Sequence, residues 1–131
     1  MSFLLDTNIC SAHMRGTSLA SKFVQHSGRL FVPTIVIAEL YSGAFKVPNS
    51  QKLLAGIDEL LNEVTVLDFD AACARRFGEI RGRELREGQP SKFVDLLIAS
   101  VALTHELILV THNTADFENI PNLRIEDWLA S

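Results

Sequence analysis

The chain has 131 residues and a formal net charge of −4, with 47% hydrophobic and 21% charged residues. A chain of this length has the size of one domain, and the composition is that of a globular protein rather than a disordered one. The excess of acids argues against a protein that binds nucleic acid only by clamping phosphates with Lys and Arg. It does not argue against an enzyme that meets phosphate through metal ions.

The cysteines and the N-terminus indicate where the protein works. Cys10 and Cys73 are far apart and have no metal-ligand spacing, so we expect neither a disulfide scaffold nor a zinc site but a reducing, cytoplasmic setting. The first six residues lack the basic region of a signal peptide. The longest apolar stretch, residues 96–103, is too short to span a bilayer, so no membrane association is expected.

Short apolar runs alternate with helical patterns along the chain, with no repeat and no linker, which predicts a single domain over residues 1–131. The elements predicted for the first half are a strand at 3–5, a helix from Thr7 to about Arg15 ended by Gly16, a helix at 18–26, a strand at 30–32 closed by Pro33, and a helix capped by Thr34 that ends within 43–47. Those of the second half are a helix opened by Asn49 or Ser50, a strand at 65–67, a long helix at 70–86 stopped by residues 88–90, an apolar helix from Phe93 or Val94 to His105, and strands at 107–110 and 123–125. Continuously apolar strands between helices indicate a mainly parallel, four- or five-stranded sheet flanked by helices.

Two acids stand out by their position near the start of predicted helices. Asp6 directly follows the first strand, where an N-cap is the ordinary alternative to a functional role. Asp95 lies in the first turn of the apolar helix, where favourable helix-terminus electrostatics is the alternative.

Two further acids belong to different surroundings. Glu39 is the only charge in the apolar stretch 35–40 and has no Lys or Arg at helical spacing, which predicts a buried carboxylate that is paired or metal-bound. The alternative is a solvated stripe on that helix. Asp116 lies in a polar loop after the fourth strand, where an Asx turn would also explain it.

Ligands bind at the carboxyl ends of the strands in parallel sheets, so we expect these acids to meet at one edge. Two unit charges about 4 Å apart repel by about 4 kcal/mol at an effective dielectric near 20, and a cluster of such charges needs a cation or proton uptake. All-oxygen ligands select hard ions, which predicts Mg²⁺ or Mn²⁺. Such ions activate water and stabilise the leaving oxygen in phosphodiester hydrolysis.

At these residues the sequence resembles the PIN-domain nucleases, specifically the VapC-type toxins of bacterial toxin–antitoxin pairs. The matching segments are Leu4-Leu5-Asp6-Thr7-Asn8, Ala38-Glu39-Leu40 with Gly43 behind it, Asp95-Leu96-Leu97-Ile98-Ala99, Val110-Thr111-His112-Asn113 through Asp116-Phe117, and the ending from Ile120-Pro121 to Trp128. The resemblance covers nearly the whole chain, and four ordered motifs are more specific than any one of them.

The resemblance implies a PIN-like three-layer fold and an endoribonuclease that cuts single-stranded or loop RNA with water. It places Asp6, Glu39, Asp95 and Asp116 at the family's catalytic, metal-binding positions. It makes Thr7, Asn8, Thr111 and Asn113 supporting polar groups. It also implies a homodimer and a cognate antitoxin that closes the acidic cleft with a basic side chain.

One segment departs from the family pattern and bears on how RNA reaches the site. Many relatives have Pro-Ile-Gly before the helix of the third acid, whereas this chain has Pro90-Ser91-Lys92-Phe93-Val94. The bulky and charged residues there are expected to shift Asp95 or alter RNA access. Six of the twelve Lys and Arg residues lie between Arg75 and Lys92.

Within this basic window, Arg83, Arg86 and Lys92 are candidates for RNA-backbone contacts, and an ordinary solvated helix face is the alternative. The alternatives for the whole protein are a PIN nuclease that is not a toxin and a non-catalytic module that binds RNA or protein. A DNA nuclease also stays open, because metal chemistry does not choose between sugars. A phosphoacceptor domain is disfavoured because no Lys follows the fourth strand.

Overall fold

In the computed structural model of the protein, residues 1–16 and 18–130 are described. The elements are, in chain order, β1 (Phe3–Leu5), α1 (Thr7–Met14), α2 (Ala20–Gln25), β2 (Leu30–Pro33), α3 (Thr34–Phe45), α4 (Gln51–Glu63), β3 (Thr65–Leu67), α5 (Ala71–Glu87), α6 (Phe93–Thr104), β4 (Ile108–Val110), a 3-10 turn (Thr114–Asp116) and β5 (Ile125–Glu126). The predicted alternation of strands and helices is confirmed.

The five strands form one sheet in the order β3-β2-β1-β4-β5, and every pairing is parallel. The predicted mainly parallel sheet flanked by helices is therefore confirmed, with five strands. From β1 the chain builds outward through β2 and β3, and it returns to place β4 on the other side of β1. The strand order reverses between β1 and β4, which is the point where ligands bind in open sheets of this kind.

Apolar residues of the sheet and of α6 form the core. All three residues of β1 and of β4 are buried, as continuous apolar strands covered on both faces should be. The residues of α6 that are buried are Leu96, Ile98, Ala99, Ser100, Val101 and Ala102. These residues pack α6 into the core, and the first turn of the helix carries Asp95.

The ends of α5 follow the expected capping chemistry. The Asp70 carboxylate accepts a hydrogen bond from Cys73 N at 3.0 Å, which satisfies one of the free amides of the first turn. Gly88 ends the helix in the left-handed region with φ +73°, where a residue with a side chain would be strained.

Three predicted boundaries are wrong by small amounts. Thr34 is the first residue of α3 and not its cap, because Pro33 is still paired in β2 and the strand passes directly into the helix. Helix α2 begins at Ala20 rather than at Ser18, and its N-cap residue is Leu19, which makes no side-chain capping hydrogen bond. Strand β5 is Ile125–Glu126, because the register of β4 pairs Leu109 with Ile125.

None of the described helices combines the length and the apolar character that crossing a bilayer requires.

Candidate active site

The carboxylate of Asp6 lies at the switch point of the sheet, between the ends of β1 and β4. The hydroxyl of Thr111 donates a hydrogen bond to Asp6 Oδ2 at 2.8 Å, and the Thr7 amide donates to Asp6 Oδ1 at 2.8 Å. Asn8 Nδ2 adds a longer contact of 3.4 Å to Oδ2. Asp6 is therefore both the N-cap of α1 and a carboxylate held by a neighbouring strand, which is more than a cap requires.

The pKa of Asp6 is raised above its ordinary value, chiefly by burial. The hydrogen bonds from Thr111 and Thr7 oppose this effect, and the negative charge of Glu39 adds to it. The hydrogen bonds therefore hold the carboxyl group in place, while burial disfavours its charged form. A nearby cation would stabilise that charged form.

Glu39 is joined to this group through α1. The Thr7 hydroxyl donates to Glu39 Oε1 at 2.5 Å, although Glu39 lies on α3. The expectation that Glu39 is buried is wrong: its side chain is exposed and lines an open groove. The apolar sequence around Glu39 suggested burial, but among the described residues no other element covers this side of α3, where the groove opens.

Asp95 stands in the first turn of α6 and is partly buried. Its pKa is raised to about 6, first by burial and then by the charges of Asp116 and Asp6, while Lys92 lowers it. Among residues 1–16 and 18–130, Asp95 Oδ2 is the buried side-chain oxygen that has no hydrogen-bond partner. A buried oxygen without a partner beside other negative charges fits a cation rather than a structural role.

Asp116 belongs to the 3-10 turn Thr114–Asp116 that follows β4. Lys92 Nζ lies 3.5 Å from Asp116 Oδ1, and the lysine side chain is 74% exposed. Such an exposed ion pair contributes little to stability, because water and salt screen it. Lys92 therefore places a positive charge beside Asp116, in an ion pair that water can reach.

The remaining polar candidates tie the end of β4 to the start of α1. Asn8 Oδ1 accepts a hydrogen bond from the backbone amide of His112 at 3.0 Å. The Thr111 hydroxyl accepts from the backbone amide of Asn113 at 3.1 Å. Asn8 and Thr111 thus fix the two chain segments that form the floor of the acidic cluster.

The structure brings the four acids into electrostatic contact but not into a finished coordination sphere. Each of Asp6, Glu39 and Asp116 contributes to the raised pKa of Asp95. No group of three or more His, Cys, Asp and Glu side chains within the described part of the chain stands close enough to hold an ion as it is. Glu39 accepts a hydrogen bond from Thr7 instead, and Asp116 is paired with Lys92.

The predicted RNA-backbone residues occupy two places. Arg83 and Arg86 are exposed on the second half of α5, and Lys92 lies at the N-cap position of α6. The exposed ion pair of Arg76 with Glu79 on α5 agrees with the alternative of a solvated helix face for part of this window.

Two arrangements near the acids were not predicted from the sequence. Asp127 holds His112 Nδ1 at 3.0 Å, and Glu84 accepts hydrogen bonds from the amide and the hydroxyl of Ser91. The first pair joins His112, at the start of the β4–β5 connection, to Asp127, which directly follows β5. The spacing of Arg81 and Glu84 signals an ion pair, but nothing in the sequence links either residue to Ser91.

A groove of about 950 Å³ opens from the acids between α1, α3 and α4. It begins at Thr7 and Glu39 and continues along apolar and charged side chains. The lining from α3 is Glu39, Leu40, Gly43 and Ala44, and α4 contributes Lys52, Leu53, Ala55, Gly56, Ile57 and Glu59.

An all-parallel sheet with carboxylates at its switch point is the arrangement expected of the PIN fold. The family model for the PIN domain matches residues 3–123 of the chain. The solved structure of DNA-bound VapBC from Salmonella typhimurium superposes with a TM-score of 0.92 at 34% identity, over 98% of both chains. The structure of VapBC2 from Rickettsia felis bound to a DNA fragment from its promoter superposes with a TM-score of 0.90 at 32% identity. The match covers 98% of this chain and 99% of the other.

The curated relatives lead to the same family. The tRNA(fMet)-specific endonuclease VapC of Shigella flexneri is 37% identical over 130 residues, which is 98% of each protein. Ribonuclease VapC2 of Haemophilus influenzae is 34% identical over 131 residues, covering 98% of this chain and 99% of the relative. The chain therefore belongs to the PIN-domain family and, within it, to the VapC ribonucleases.

Proposed function

We propose that this chain is an endoribonuclease that hydrolyses RNA phosphodiester bonds with Mg²⁺ or Mn²⁺, and that it is the toxin of a toxin–antitoxin pair. The names of the VapC relatives support the ribonuclease activity. The observation that carries the metal requirement is Asp95 Oδ2, a buried and unpartnered oxygen in a carboxyl group whose pKa the neighbouring acids raise. A nearby hard cation would compensate that charge.

In this proposal Asp6, Glu39, Asp95 and Asp116 hold the ion. A bound divalent ion supplies activation of water and stabilisation of the developing charge on phosphate. Thr111 fixes the Asp6 carboxylate, and Thr7 holds Glu39 at the edge of the cluster, from which Glu39 would turn towards the ion. Asn8 and Asn113 support these groups, and Lys92 offers a positive charge to a phosphate at the edge of the site.

The activity is tested with the purified chain, free of any partner. We expect cleavage of RNA in Mg²⁺ or Mn²⁺ and none in chelator, and tRNA(fMet) is the first substrate to try because the Shigella flexneri relative is named for it. Asp6→Asn and Asp95→Asn should each remove most of the activity. Asp58→Asn, an exposed carboxylate on α4, is the matched control and should cleave normally. Full activity in the Asp95 variant would remove that residue from the site.

An antitoxin is the proposed occupant of the groove between α1, α3 and α4. The groove starts at Glu39 and is lined by apolar residues such as Leu40 and Ile57, so an apolar peptide segment fits along it. A basic side chain at one end of that segment would reach Thr7 and Glu39 beside the acidic cluster. The VapBC complexes from Salmonella typhimurium and Rickettsia felis support a partner of this kind.

Four further parts of the proposal rest on the resemblance or on the sequence. We propose that residues 1–131 are one nuclease domain, that the protein works in the cytoplasm, that it forms a homodimer and that Arg83, Arg86 and Lys92 contact the RNA backbone. Both cysteines are free thiols, which agrees with a reducing compartment. Sedimentation of the purified chain tests the dimer.

A further inference from the structure

The connection between α5 and α6 is fastened to α5 by a set of charged and polar contacts. The amide and the hydroxyl of Ser91 both donate to the Glu84 carboxylate, at 2.9 and 2.5 Å. Arg81 Nη1 donates to the Ser91 carbonyl at 3.0 Å and lies 3.6 Å from Glu84. The Arg81 and Glu84 side chains are largely buried, so these contacts attach the connection closely to α5.

Phe93, the first residue of α6, stands just beyond this connection and is 62% exposed. Its ring meets Phe77 nearly edge to face, with the centroids 5.3 Å apart. The guanidinium carbon of Arg81 lies 5.5 Å from the Phe77 ring and 5.8 Å from the Phe93 ring. The ring is therefore braced by an aromatic neighbour and a fixed cation while much of it faces water.

The segment that carries this ring adjoins the acidic cluster. The residue before the ring, Lys92, reaches to within 3.5 Å of Asp116, and Asp95 follows two residues after it on the same helix. An RNA strand whose phosphate is cut at the acids would therefore have a neighbouring nucleotide within reach of this segment.

We infer that Phe93, braced by Phe77 and Arg81, stacks on an unpaired base of the RNA beside the scissile phosphodiester; this rests on the proposed function. Aromatic rings next to Arg bind single-stranded nucleic acid by stacking, with little regard to base identity. A base within a duplex is already stacked on both faces, so the platform selects unpaired nucleotides. Lys92 binds the adjoining phosphate, so two consecutive residues contact the base and the backbone of the same nucleotide region.

The test removes one base at a time from the RNA. Short single-stranded RNAs carrying an abasic nucleotide at successive positions around the cleavage site are cut by the wild type and by Phe93→Ala. One abasic position should slow the wild type about 5- to 100-fold, as the loss of one stacked base does. Phe93→Ala should be equally slow on intact RNA and insensitive to that position. Equal rates of the two proteins on the abasic RNA would show that Asp95 is still in place.

Further variants separate stacking from apolar contact with a protein. Phe93→Trp should keep the wild-type rate, whereas Phe93→Leu should behave like Phe93→Ala because it keeps apolar area without a ring. Phe45→Ala removes another exposed aromatic, 65% exposed on α3, and should change nothing. The fluorescence of 2-aminopurine at the sensitive position should be quenched by wild type in chelator and not by Phe93→Ala.

Three results would contradict the stacking role, and each has a different meaning for the ribonuclease activity. If the wild type cuts RNA but no abasic position matters, or if Phe93→Ala remains sensitive to it, the stacking role is wrong while the ribonuclease stands. If Phe93→Ala instead breaks up a dimer in sedimentation and cleavage per monomer is unchanged, the ring belongs to an interface between copies. If the wild type cuts no RNA under any metal condition, the proposed function fails and the platform fails with it.

Discussion

The Thr111 hydroxyl donates a hydrogen bond to Asp6 Oδ2 at 2.8 Å across 105 positions of sequence, and Thr111 is fully buried. The pairing of β1 with β4 places the two residues side by side at the switch point of the sheet. The same hydroxyl accepts hydrogen bonds from the Asn113 amide and from Asn8. One buried oxygen thus joins the proposed metal ligand to the polar residues that follow both strands.

Removing this hydroxyl should weaken both the fold and the site. Thr111→Val leaves the Asn113 amide and Asp6 without their partner, and losing such a buried group costs about 1–3 kcal/mol in the free energy of unfolding. The pKa of Asp6 should rise further, because the Thr111 hydrogen bond lowers it. Urea denaturation and Mn²⁺ titration check the two effects. Thr111→Ser keeps the hydroxyl and should restore metal affinity; a serine variant as weak as the valine variant would contradict the role of this bond.

Asp95→Asn should stabilise the metal-free fold while abolishing cleavage. The pKa of Asp95 is about 6 in the folded protein against 3.8 as its ordinary value, so its charge destabilises the fold at neutral pH. Partial exposure screens the effect, and we expect a gain of about 1 to 2 kcal/mol at pH 7. The destabilisation disappears as Asp95 takes up a proton, so the gain should shrink as the pH falls through 6 towards 4.

Denaturation in chelator at pH 7 and at pH 4 measures this gain. Asp58→Asn, an exposed carboxylate on α4, serves as the control and should show no comparable difference between the two pH values. A loss of stability in Asp95→Asn at pH 7 would mean that Asp95 is a structural residue with a partner of its own.

The groove offers a way to separate partner binding from catalysis. Gly43 lines it on α3, and a Cβ added there meets no atom within 4 Å, so Gly43→Leu should fold normally and fill the space. We expect this variant to bind the cognate antitoxin at least tenfold more weakly, by roughly 1.4 kcal/mol, with RNA cleavage unchanged. Calorimetry with the purified antitoxin measures the affinity.

Gly78 gives the matched control for that substitution. It lies on α5, away from the groove, and a Cβ added there also meets nothing within 4 Å. Gly78→Leu should bind the antitoxin as the wild type does. Unchanged affinity in Gly43→Leu would place the antitoxin on another surface.

The exposed arginines of α5 are expected to contribute to RNA affinity through charge alone. Replacing Arg83 and Arg86 by Gln removes two phosphate contacts, so the slope of log affinity against log salt should become shallower by about 0.7 per contact. Arg76→Gln, on the same helix but paired with Glu79, is the control. An unchanged slope in the double variant would assign these arginines to a solvated face with no part in RNA binding.

The fold was predictable where apolar runs and capping residues act locally. Phe3–Leu5 and Ile108–Val110 are strands because all their side chains must be buried, and Gly88 ends α5 because of its backbone freedom. Boundaries set by partners were not predictable: β5 lies where Leu109 pairs with Ile125 and not where its own apolar residues begin.

In the candidate site, too, local sequence predicted some features, and contacts between distant segments set the others. The position of Asp6 after an apolar strand pointed to the switch point, and the structure places it there beside Thr111. The exposure of Glu39 depends on the space between α1, α3 and α4, which no local pattern contains. The contact of Glu84 with Ser91 depends on how the α5–α6 connection turns back, and the sequence gives no sign of it.

The central claim is that the four acids share a divalent ion, and anomalous scattering from crystals containing Mn²⁺ tests it most directly. We expect an anomalous peak within ligand distance of Asp6 and Asp95, with Glu39 and Asp116 turned towards it from Thr7 and Lys92, and loss of that peak in Asp95→Asn. Crystals with Mn²⁺ in the solution and no peak at these carboxylates, or a peak that persists in the Asp95 variant, would contradict it.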